Sequence, residues 1–256
     1  MDFVIAIPSY NRSEKLKDWT LQMLQREGVP PQMITIFVAS EAEKKVYEQT
    51  LVPGSYGQMV VGVPTISKQR QFICDYYPEG TCVLSIDDDI KRLKWLKPQP
   101  LVPFVKKMFE LTKAELCNLW GIYPVNNLFY CKDRIIKGKA FIVGAFYGFI
   151  NKKDYVFPAV CGVEDRWLSL KRYVTDGAVI RNESLCPDTV YYAKGGLSEY
   201  RKEHADNKNQ SFIVAQFPDE CELKLKKNGR WDVHNRTKVS KLLSLPTADV
   251  LGAEIQ

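Results

Sequence analysis

Apolar runs alternate with amphipathic stretches over the first ninety residues of the chain. Four short runs have the length and composition of buried strands, namely residues 3–7, 34–38, 59–61 and 83–86. After the first run, apolar residues recur at helical spacing, with Ser13 as a candidate N-cap and Gly28 as the stop. Strands separated by helices in this way predict an α/β fold with a parallel sheet.

The pattern changes after residue 90, where a proline-flanked segment leads into a second half. Here it predicts two helices, over 104–117 and 164–173, and four strands, over 119–123, 128–131, 140–150 and 178–180. Since no flexible linker separates the halves, we interpret the chain as a single domain of three parts: an N-terminal half (1–90), a second half (91–217) and a C-terminal segment (218–256).

The composition suits a chain with a sizeable buried core, because 45% of the residues are hydrophobic and 26% are charged. The most apolar stretch, residues 140–150, has about half the length that a bilayer requires. No secretory signal precedes the first strand, and the seven cysteines include no C-x-x-C pair, which favours neither zinc nor a disulfide framework. We therefore expect a cytoplasmic protein, in the host cytoplasm if the chain is viral, with no membrane partner.

The formal net charge of +6 is concentrated near the C-terminus. Residues 222–241 contain seven bases and two acids, which gives this window a net charge of +5. A solvated, lysine-rich surface and a surface that binds a polyanion both explain such a window. Charge alone leaves the two interpretations open.

Three consecutive aspartates, Asp87, Asp88 and Asp89, follow the strand predicted over 83–86. If the strand alternation continues, Asp87 and Asp89 point to the same side. Two carboxylates about 6–7 Å apart repel by roughly 2–3 kcal/mol at an effective dielectric constant of 20, and a divalent cation reverses that cost. Oxygen ligands suit Mn²⁺ or Mg²⁺, which often complete their shell with substrate phosphates. The alternative is a solvated acidic turn.

Two basic residues, Lys68 and Arg70, lie at the start of a predicted helix that precedes this strand. A cation in the first turn opposes the helix dipole, so a bound anion would explain its presence. An ordinary basic surface explains it almost as well. By the rule for parallel sheets, the segment 8–12 and the aspartates belong to the same edge, where ligands bind.

A second acidic pair, Glu164 and Asp165, opens the helix predicted over 164–173. Acids in a first helical turn ordinarily serve as caps. Sugar transfer with inversion, however, needs a metal for the leaving diphosphate and a separate carboxylate that deprotonates the acceptor hydroxyl. His204, and less favourably His234, could complete a metal shell, although exposed surface histidines are the simpler interpretation.

With these residues the sequence resembles the family 2-type glycosyltransferases of the GT-A fold. Four motifs carry the resemblance in family order: residues 8–12, Lys68 with Arg70, the aspartates 87–89, and Glu164 with Asp165. The resemblance spans about residues 3–217 and implies a Rossmann-like, mostly parallel central sheet flanked by helices, with a mixed acceptor-side extension. Residues 1–90 would then bind the nucleotide sugar, and residues 91–217 would face the acceptor.

The resemblance also implies a role for each candidate residue. The nucleotide sugar would be bound by Pro8, Tyr10, Arg12, Lys68, Arg70, Asp87 and Asp88. The metal, Mn²⁺ or Mg²⁺, would be bound by Asp89, Asp87 and His204. Asp165 would be the general base, with Glu164 as the alternative. The processive Gln-x-x-Arg-Trp signature is absent from the sequence, which favours a single transfer.

Residues 119–127 and 195–201 resemble a viral and phage branch that includes relatives of the base J glucosyltransferase. This implies hydroxymethylated pyrimidine in DNA as the acceptor, and we expect the donor to be a UDP-sugar. The basic C-terminal segment, which the resemblance does not cover, would contribute phosphate contacts, and Trp120 or Tyr123 could stack on a base flipped out of the duplex. Three alternatives stay open: a glycosyltransferase acting on a surface glycan or glycoprotein, a non-catalytic nucleic-acid-binding module, and a sugar nucleotidyltransferase. The last would usually carry a glycine-rich phosphate loop after the first strand.

Overall fold

The computed structural model describes residues 2–154, 157–158, 162–189, 206–226, 231–236 and 240–243. The strands within these ranges are β1 (Val4–Pro8), β2 (Ile34–Val38), β3 (Gln58–Val61), β4 (Cys82–Ile86), β5 (Arg92–Trp95), β6 (Leu119–Ile122), β7 (Ile135–Gly138), β8 (Phe146–Ile150), β9 (Val179–Asn182), β10 (Leu185–Asp188), β11 (Cys221–Leu225), β12 (Trp231–Asn235) and β13 (Ser240–Leu243).

The helices within the same ranges are α1 (Ser13–Lys15), α2 (Gln22–Arg26), α3 (Glu41–Thr50), α4 (Ile66–Tyr76), α5 (Leu101–Ala114), α6 (Glu164–Asp176) and α7 (Asp206–Gln216). A π-helical stretch, Leu16–Leu21, joins α1 to α2, and short 3-10 helices cover Pro31–Met33 and Leu128–Tyr130. All four strands predicted in the first ninety residues are present, with ends shifted by no more than one residue.

Nine strands form one sheet in the order β13-β7-β9-β6-β8-β4-β1-β2-β3. The N-terminal strands are parallel, because β1 pairs in parallel with β2 and β4, and β2 with β3. The other half is mixed: β6 and β9 are parallel, whereas β8 pairs antiparallel with β4 and β6, and β7 pairs antiparallel with β9 and β13. The predicted α/β class, with helices around a largely parallel sheet and a mixed extension, is confirmed.

Two small antiparallel sheets lie outside the large one. One pairs β5 with β10 and the other pairs β11 with β12. The β5–β10 pair places Arg92 opposite Asp188, one residue before Thr189. It therefore brings the segment after β4 and the segment after β9 to the same edge of the molecule.

Trp120 occupies the centre of the second half rather than its surface. Its side chain is fully buried and packs edge-on against the rings of Phe104, Phe109 and Phe146. Gly148 on the neighbouring strand makes room for it, because a Cβ atom there would lie 2.1 Å from the indole Nε1. The expectation that Trp120 offers a stacking surface is therefore wrong, and Tyr123 is half-buried, with the Arg181 guanidinium 5.6 Å from its ring.

Several predicted elements differ in type or extent. Residues 128–131 do not form a strand, because the Asn127 side chain accepts a hydrogen bond from the Phe129 amide and starts a 3-10 turn. The strand predicted over 140–150 begins only at Phe146, and the residues before it form a loop. Helix α5 begins at Leu101, earlier than expected, with Pro103 in its first turn where no amide donor is needed.

Six of the seven cysteines fall within the described residues, and all six are buried free thiols, as the sequence predicted. They behave as small apolar side chains. None of the described helices is long and apolar enough to cross a membrane.

Candidate active site

The loops after β1 and β4 meet because the two strands are adjacent and parallel, with Ala6 opposite Ser85. The segments 9–12 and 87–89 therefore share the carboxyl edge of the sheet, where parallel sheets bind ligands. Thr20 fixes the aspartate turn, since its Oγ1 donates to the Asp87 carbonyl at 2.9 Å and accepts from the Ile90 amide at 3.0 Å.

Arg12 joins two of the three aspartates. Its Nη1 lies 3.2 Å from Asp88 Oδ1 and 3.0 Å from Asp89 Oδ2. The remaining oxygens are also bound, since Ser9 Oγ donates to Asp88 Oδ2 at 2.6 Å and Thr189 Oγ1 donates to Asp89 Oδ1 at 2.8 Å. Both carboxylates are buried, so these bonds offset part of the cost of removing the charges from water.

Asp87 takes a different direction from its neighbours. Strand β4 ends at Ile86, so strand alternation does not extend through the aspartates. Asp88 and Asp89 share Arg12, whereas Asp87 Oδ1 lies 3.6 Å from Arg70 Nη2 and keeps about a third of its side chain exposed (34%). The pairing of Asp87 with Asp89 that was expected from alternation is thereby corrected to a pairing of Asp88 with Asp89.

Arg70 connects the aspartate turn to the second half of the chain. It is almost fully buried on α4, and its Nη1 donates to the Tyr147 hydroxyl at 2.6 Å while its Nε lies 3.7 Å from Glu164 Oε1. Its Nη2 donates to the Gly144 carbonyl at 3.2 Å. A Cβ atom at Gly144 would lie 2.5 Å from that Nη2, so the glycine makes room for the guanidinium.

The acidic pair at the start of α6 lies beside Arg70. Glu164 is buried, and its Oε2 accepts from the Gly162 amide at 2.8 Å. Asp165 is half-buried, and its oxygens accept from the Gly144 amide at 3.1 Å and the Arg166 amide at 2.8 Å. Gly144 thus contacts both Arg70 and Asp165, which brings the aspartate turn and the second acidic pair into one site.

The site is short of positive charge. Four carboxylates (Asp87, Asp88, Asp89 and Glu164) contact two guanidiniums (Arg12 and Arg70), which gives a formal net charge of −2 when all four are ionised. Removal of most of the Asp87 side chain from water, together with the neighbouring carboxylates, raises the pKa of Asp87 to about 8, although Arg70 opposes the shift. Burial likewise raises the pKa of Asp88 to about 6, and it raises the pKa of Glu164. A bound cation would favour the ionised forms of these groups.

These pKa shifts predict how stability depends on pH in the metal-free protein. A carboxyl group whose pKa is about 3.9 in the unfolded chain and about 8 in the folded one destabilises the fold as the pH rises between these two values, because the folded state opposes its ionisation. The melting temperature in the presence of a chelator is therefore expected to fall as the pH rises from 5 to about 8 and to level off above that. Scanning fluorimetry of the wild type and of Asp87→Asn measures this, and equal slopes in the two proteins would contradict it.

The remaining candidates lie at different depths. Pro8 is buried at the end of β1, whereas Tyr10 and Lys68 are exposed beside the site. His234 lies on β12, where its Nε2 is 3.8 Å from Asp232. His204 and residues 195–201 lie outside the described residues.

Three bases of the basic C-terminal window pair with the window's two acids where the structure describes them. Lys224 and Arg236 lie 2.9 and 3.7 Å from Glu222, and Lys226 lies 2.6 Å from Asp232. These pairs favour the interpretation as a solvated surface.

Several residues of the site carried no role in the sequence interpretation. They are Ser9, Glu43, Tyr47, Gly144, Tyr147 and Thr189. Ser9 lies within a recognised motif, and its position after a strand is a usable signal. Asn11 has a left-handed backbone (φ 53°), and buried Glu43 holds it by accepting from its amide at 2.5 Å. Thr189 is 100 residues from Asp89 in the sequence and gives no local signal.

The donor set fits a hard divalent cation. It consists of carboxylate oxygens at the carboxyl edge of the parallel strands with a net negative charge, and Mn²⁺ and Mg²⁺ prefer such ligands. No group of three or more ligating side chains is preassembled within the described ranges. These ions are usually bound by only a few protein side chains, and substrate phosphates complete their coordination.

No protein-family model matches the chain, and no curated protein is found as a relative. Among solved structures, glucosyl-3-phosphoglycerate synthase from Mycobacterium tuberculosis, in complex with Mn²⁺, UDP and glucosyl-3-phosphoglycerate, aligns with a TM-score of 0.53 at 11% identity, over 93% of this chain and 89% of that one. The chain shares the fold of this synthase. A second mycobacterial protein gives a TM-score of 0.54 at 10% identity, over 93% and 85% of the two chains. At such identities the likeness shows the fold alone.

Proposed function

We propose that this chain is a metal-dependent glycosyltransferase that moves a sugar from a uridine diphosphate donor to a hydroxyl group with inversion. The observation that carries the proposal is the acidic cluster of net charge −2 at the carboxyl edge of the parallel strands. The UDP and Mn²⁺ of the mycobacterial synthase complex support the choice of nucleotide and metal.

In this proposal Asp89 and Asp87 would hold Mn²⁺ or Mg²⁺ together with diphosphate oxygens, and His204 is a candidate further ligand. When bound there, the ion would supply positive charge against the leaving diphosphate. Arg12 holds Asp88 and Asp89, Arg70 faces Asp87, and exposed Tyr10 and Lys68 would border the nucleotide. Pro8, which is buried at the end of β1, would lie beneath the bound nucleotide.

Asp165 is the proposed general base. The acceptor hydroxyl gives its proton to Asp165, its oxygen bonds to the anomeric carbon, and the bond from that carbon to the diphosphate breaks with its electron pair on the diphosphate oxygen. Asp165 suits this role better than Glu164, because its half-exposed carboxylate can be reached from solvent, whereas Glu164 is buried against Arg70.

The finer acceptor hypothesis is DNA that carries hydroxymethylated pyrimidines, and the resemblance of residues 119–127 to the viral and phage branch is its support. The ion pairs around Glu222 and Asp232 weaken the part given to the C-terminal segment. A glycan or glycoprotein acceptor uses the same donor chemistry and is the competing acceptor class.

Calorimetric titration of UDP tests the proposed function. Binding is expected to be at least about tenfold tighter with Mn²⁺ than with a chelator, because the ion neutralises both the cluster and the diphosphate. An Asp75→Asn variant, which removes one exposed carboxylate on α4, is the matched control and should bind like the wild type. Absence of UDP binding with either metal would overturn the proposal in favour of a binding module.

A further inference from the structure

Two adjacent aromatic side chains project from the loop between β6 and β7. Phe129 is 85% exposed and Tyr130 is 52% exposed, and their rings meet edge-on with centroids 5.3 Å apart. The Asn127 cap fixes the turn that presents them. Single exposed apolar residues are ordinary, but two large rings held together on a defined turn form a binding surface.

Basic residues are frequent in the segment that carries these rings and in the segment tied to it. Residues 91–97 and 128–134 contribute six: Lys91, Arg92, Lys94, Lys97, Lys132 and Arg134. Their acidic neighbours are Asp133, Asp188 and Glu183, so the group has a net charge of +3. The two segments are held together by Lys97, whose Nζ lies 2.7 Å from Asp133 Oδ2, and by Lys94, whose Nζ donates to Asn126 Oδ1 at 2.7 Å. We call residues 91–97 and 128–134 the aromatic–basic face.

The aromatic–basic face is linked to the candidate active site by hydrogen bonds. Asn126, three residues before Phe129, donates to the Thr189 carbonyl at 2.8 Å and to Asp188 Oδ1 at 3.2 Å. Thr189 in turn donates to Asp89 at 2.8 Å. The aromatic–basic face is thus joined to the aspartate turn through Asn126 and Thr189.

We propose that the aromatic–basic face binds single-stranded nucleic acid. Unpaired nucleobases would stack on Phe129 and Tyr130, and the phosphates would contact the exposed Lys and Arg side chains of the two segments. Stacking on aromatic rings combined with a basic track is how proteins bind single strands without base-specific contacts. A neutral glycan also stacks on aromatic rings but gives the net positive charge nothing to neutralise, and a paired duplex hides the faces of its bases. The idea that this face guides an acceptor to the active site rests on the proposed function. The binding of single-stranded nucleic acid to the face does not depend on that function.

Fluorescence anisotropy with a labelled single-stranded oligonucleotide of about 12 nucleotides tests the proposal. The double variant Phe129→Ala, Tyr130→Ala is expected to weaken binding about tenfold at fixed salt. Lys132→Glu is expected to weaken binding and to flatten its salt dependence, by about 0.7 in the logarithmic slope for each phosphate that the protein no longer neutralises. Leu116→Ala, which truncates another highly exposed apolar side chain, and Lys45→Glu on α3 are the controls and should bind like the wild type.

Three outcomes would overturn the proposal. Unchanged oligonucleotide affinity in the aromatic double variant would show that binding depends only on charge. Equal affinity for the single strand and its duplex would show the same. Loss of a dimer in light scattering on removal of the rings, without loss of oligonucleotide binding, would make the face an interface between copies of the chain. Titration of UDP with Mn²⁺ into the same variants separates this proposal from the donor site, because it is expected to be unchanged.

Discussion

Replacing Asp165 with asparagine is expected to lower kcat by about 10²–10⁴-fold while leaving the affinity for UDP and Mn²⁺ unchanged. Asparagine keeps the shape of the side chain and one acceptor oxygen for the Gly144 or Arg166 amide, so the start of α6 should hold. What it loses is the capacity to take a proton from the attacking hydroxyl. UDP release from a UDP-sugar, with water as the acceptor, measures kcat, and calorimetry measures binding.

Glu164→Gln is the matched comparison for this prediction. Glu164 is buried 3.7 Å from Arg70, which also reaches Asp87 at 3.6 Å, so its neutralisation removes one of the two carboxylates that face a buried guanidinium. We expect lower thermal stability and weaker UDP binding rather than a selective loss of turnover. The opposite pattern, with turnover lost selectively in Glu164→Gln and retained in Asp165→Asn, would transfer the role of the base to Glu164.

The elements of the fold could be predicted because the chain follows simple periodicities. Strands β1, β2 and β4 are largely buried, and their continuous apolar runs stand out between amphipathic helices. The second half was harder, because local capping and long-range packing override such patterns. Residues 128–131 look like a strand by composition, yet the Asn127 cap turns them outward, and Trp120 looks like a surface ring only until its three phenylalanine neighbours are known.

The candidate site was predictable only where a motif lies within one segment. The aspartate turn, Arg70 and the acidic pair of α6 could be found in this way, and the structure brings them together around Gly144. The orientation of each aspartate was not predictable, because strand alternation ends with β4 at Ile86. Long-range hydrogen bonds such as that from Thr189 to Asp89 depend on the pairing of β5 with β10, which no local pattern encodes.

Replacing Asp89 with asparagine is expected to abolish the metal dependence of UDP binding and to lower kcat by about 10³-fold. The reason is that a metal ion contributes several kcal/mol to stabilising the charge on a leaving diphosphate, and each 1.4 kcal/mol changes a rate about tenfold. Asp89 is held by Thr189 and Arg12 in a fixed orientation, so an amide there keeps the geometry but loses the charge that attracts the ion. Calorimetry with and without Mn²⁺ gives the binding, and UDP release gives the rate.

Two further variants separate a ligand from a residue that only supports the turn. Thr189→Val keeps the shape of the side chain but removes the donor to Asp89, and we expect metal affinity to fall about 10- to 100-fold with its dependence on Mn²⁺ retained. Asp88→Asn leaves Arg12 paired with Asp89, and we expect a smaller loss of metal affinity than in Asp89→Asn. If Asp89→Asn bound UDP with undiminished dependence on Mn²⁺, the ion would have to be held by Asp87 and residues other than Asp89. Arg12 would then be the permanent partner of Asp89 rather than a neighbour of the metal.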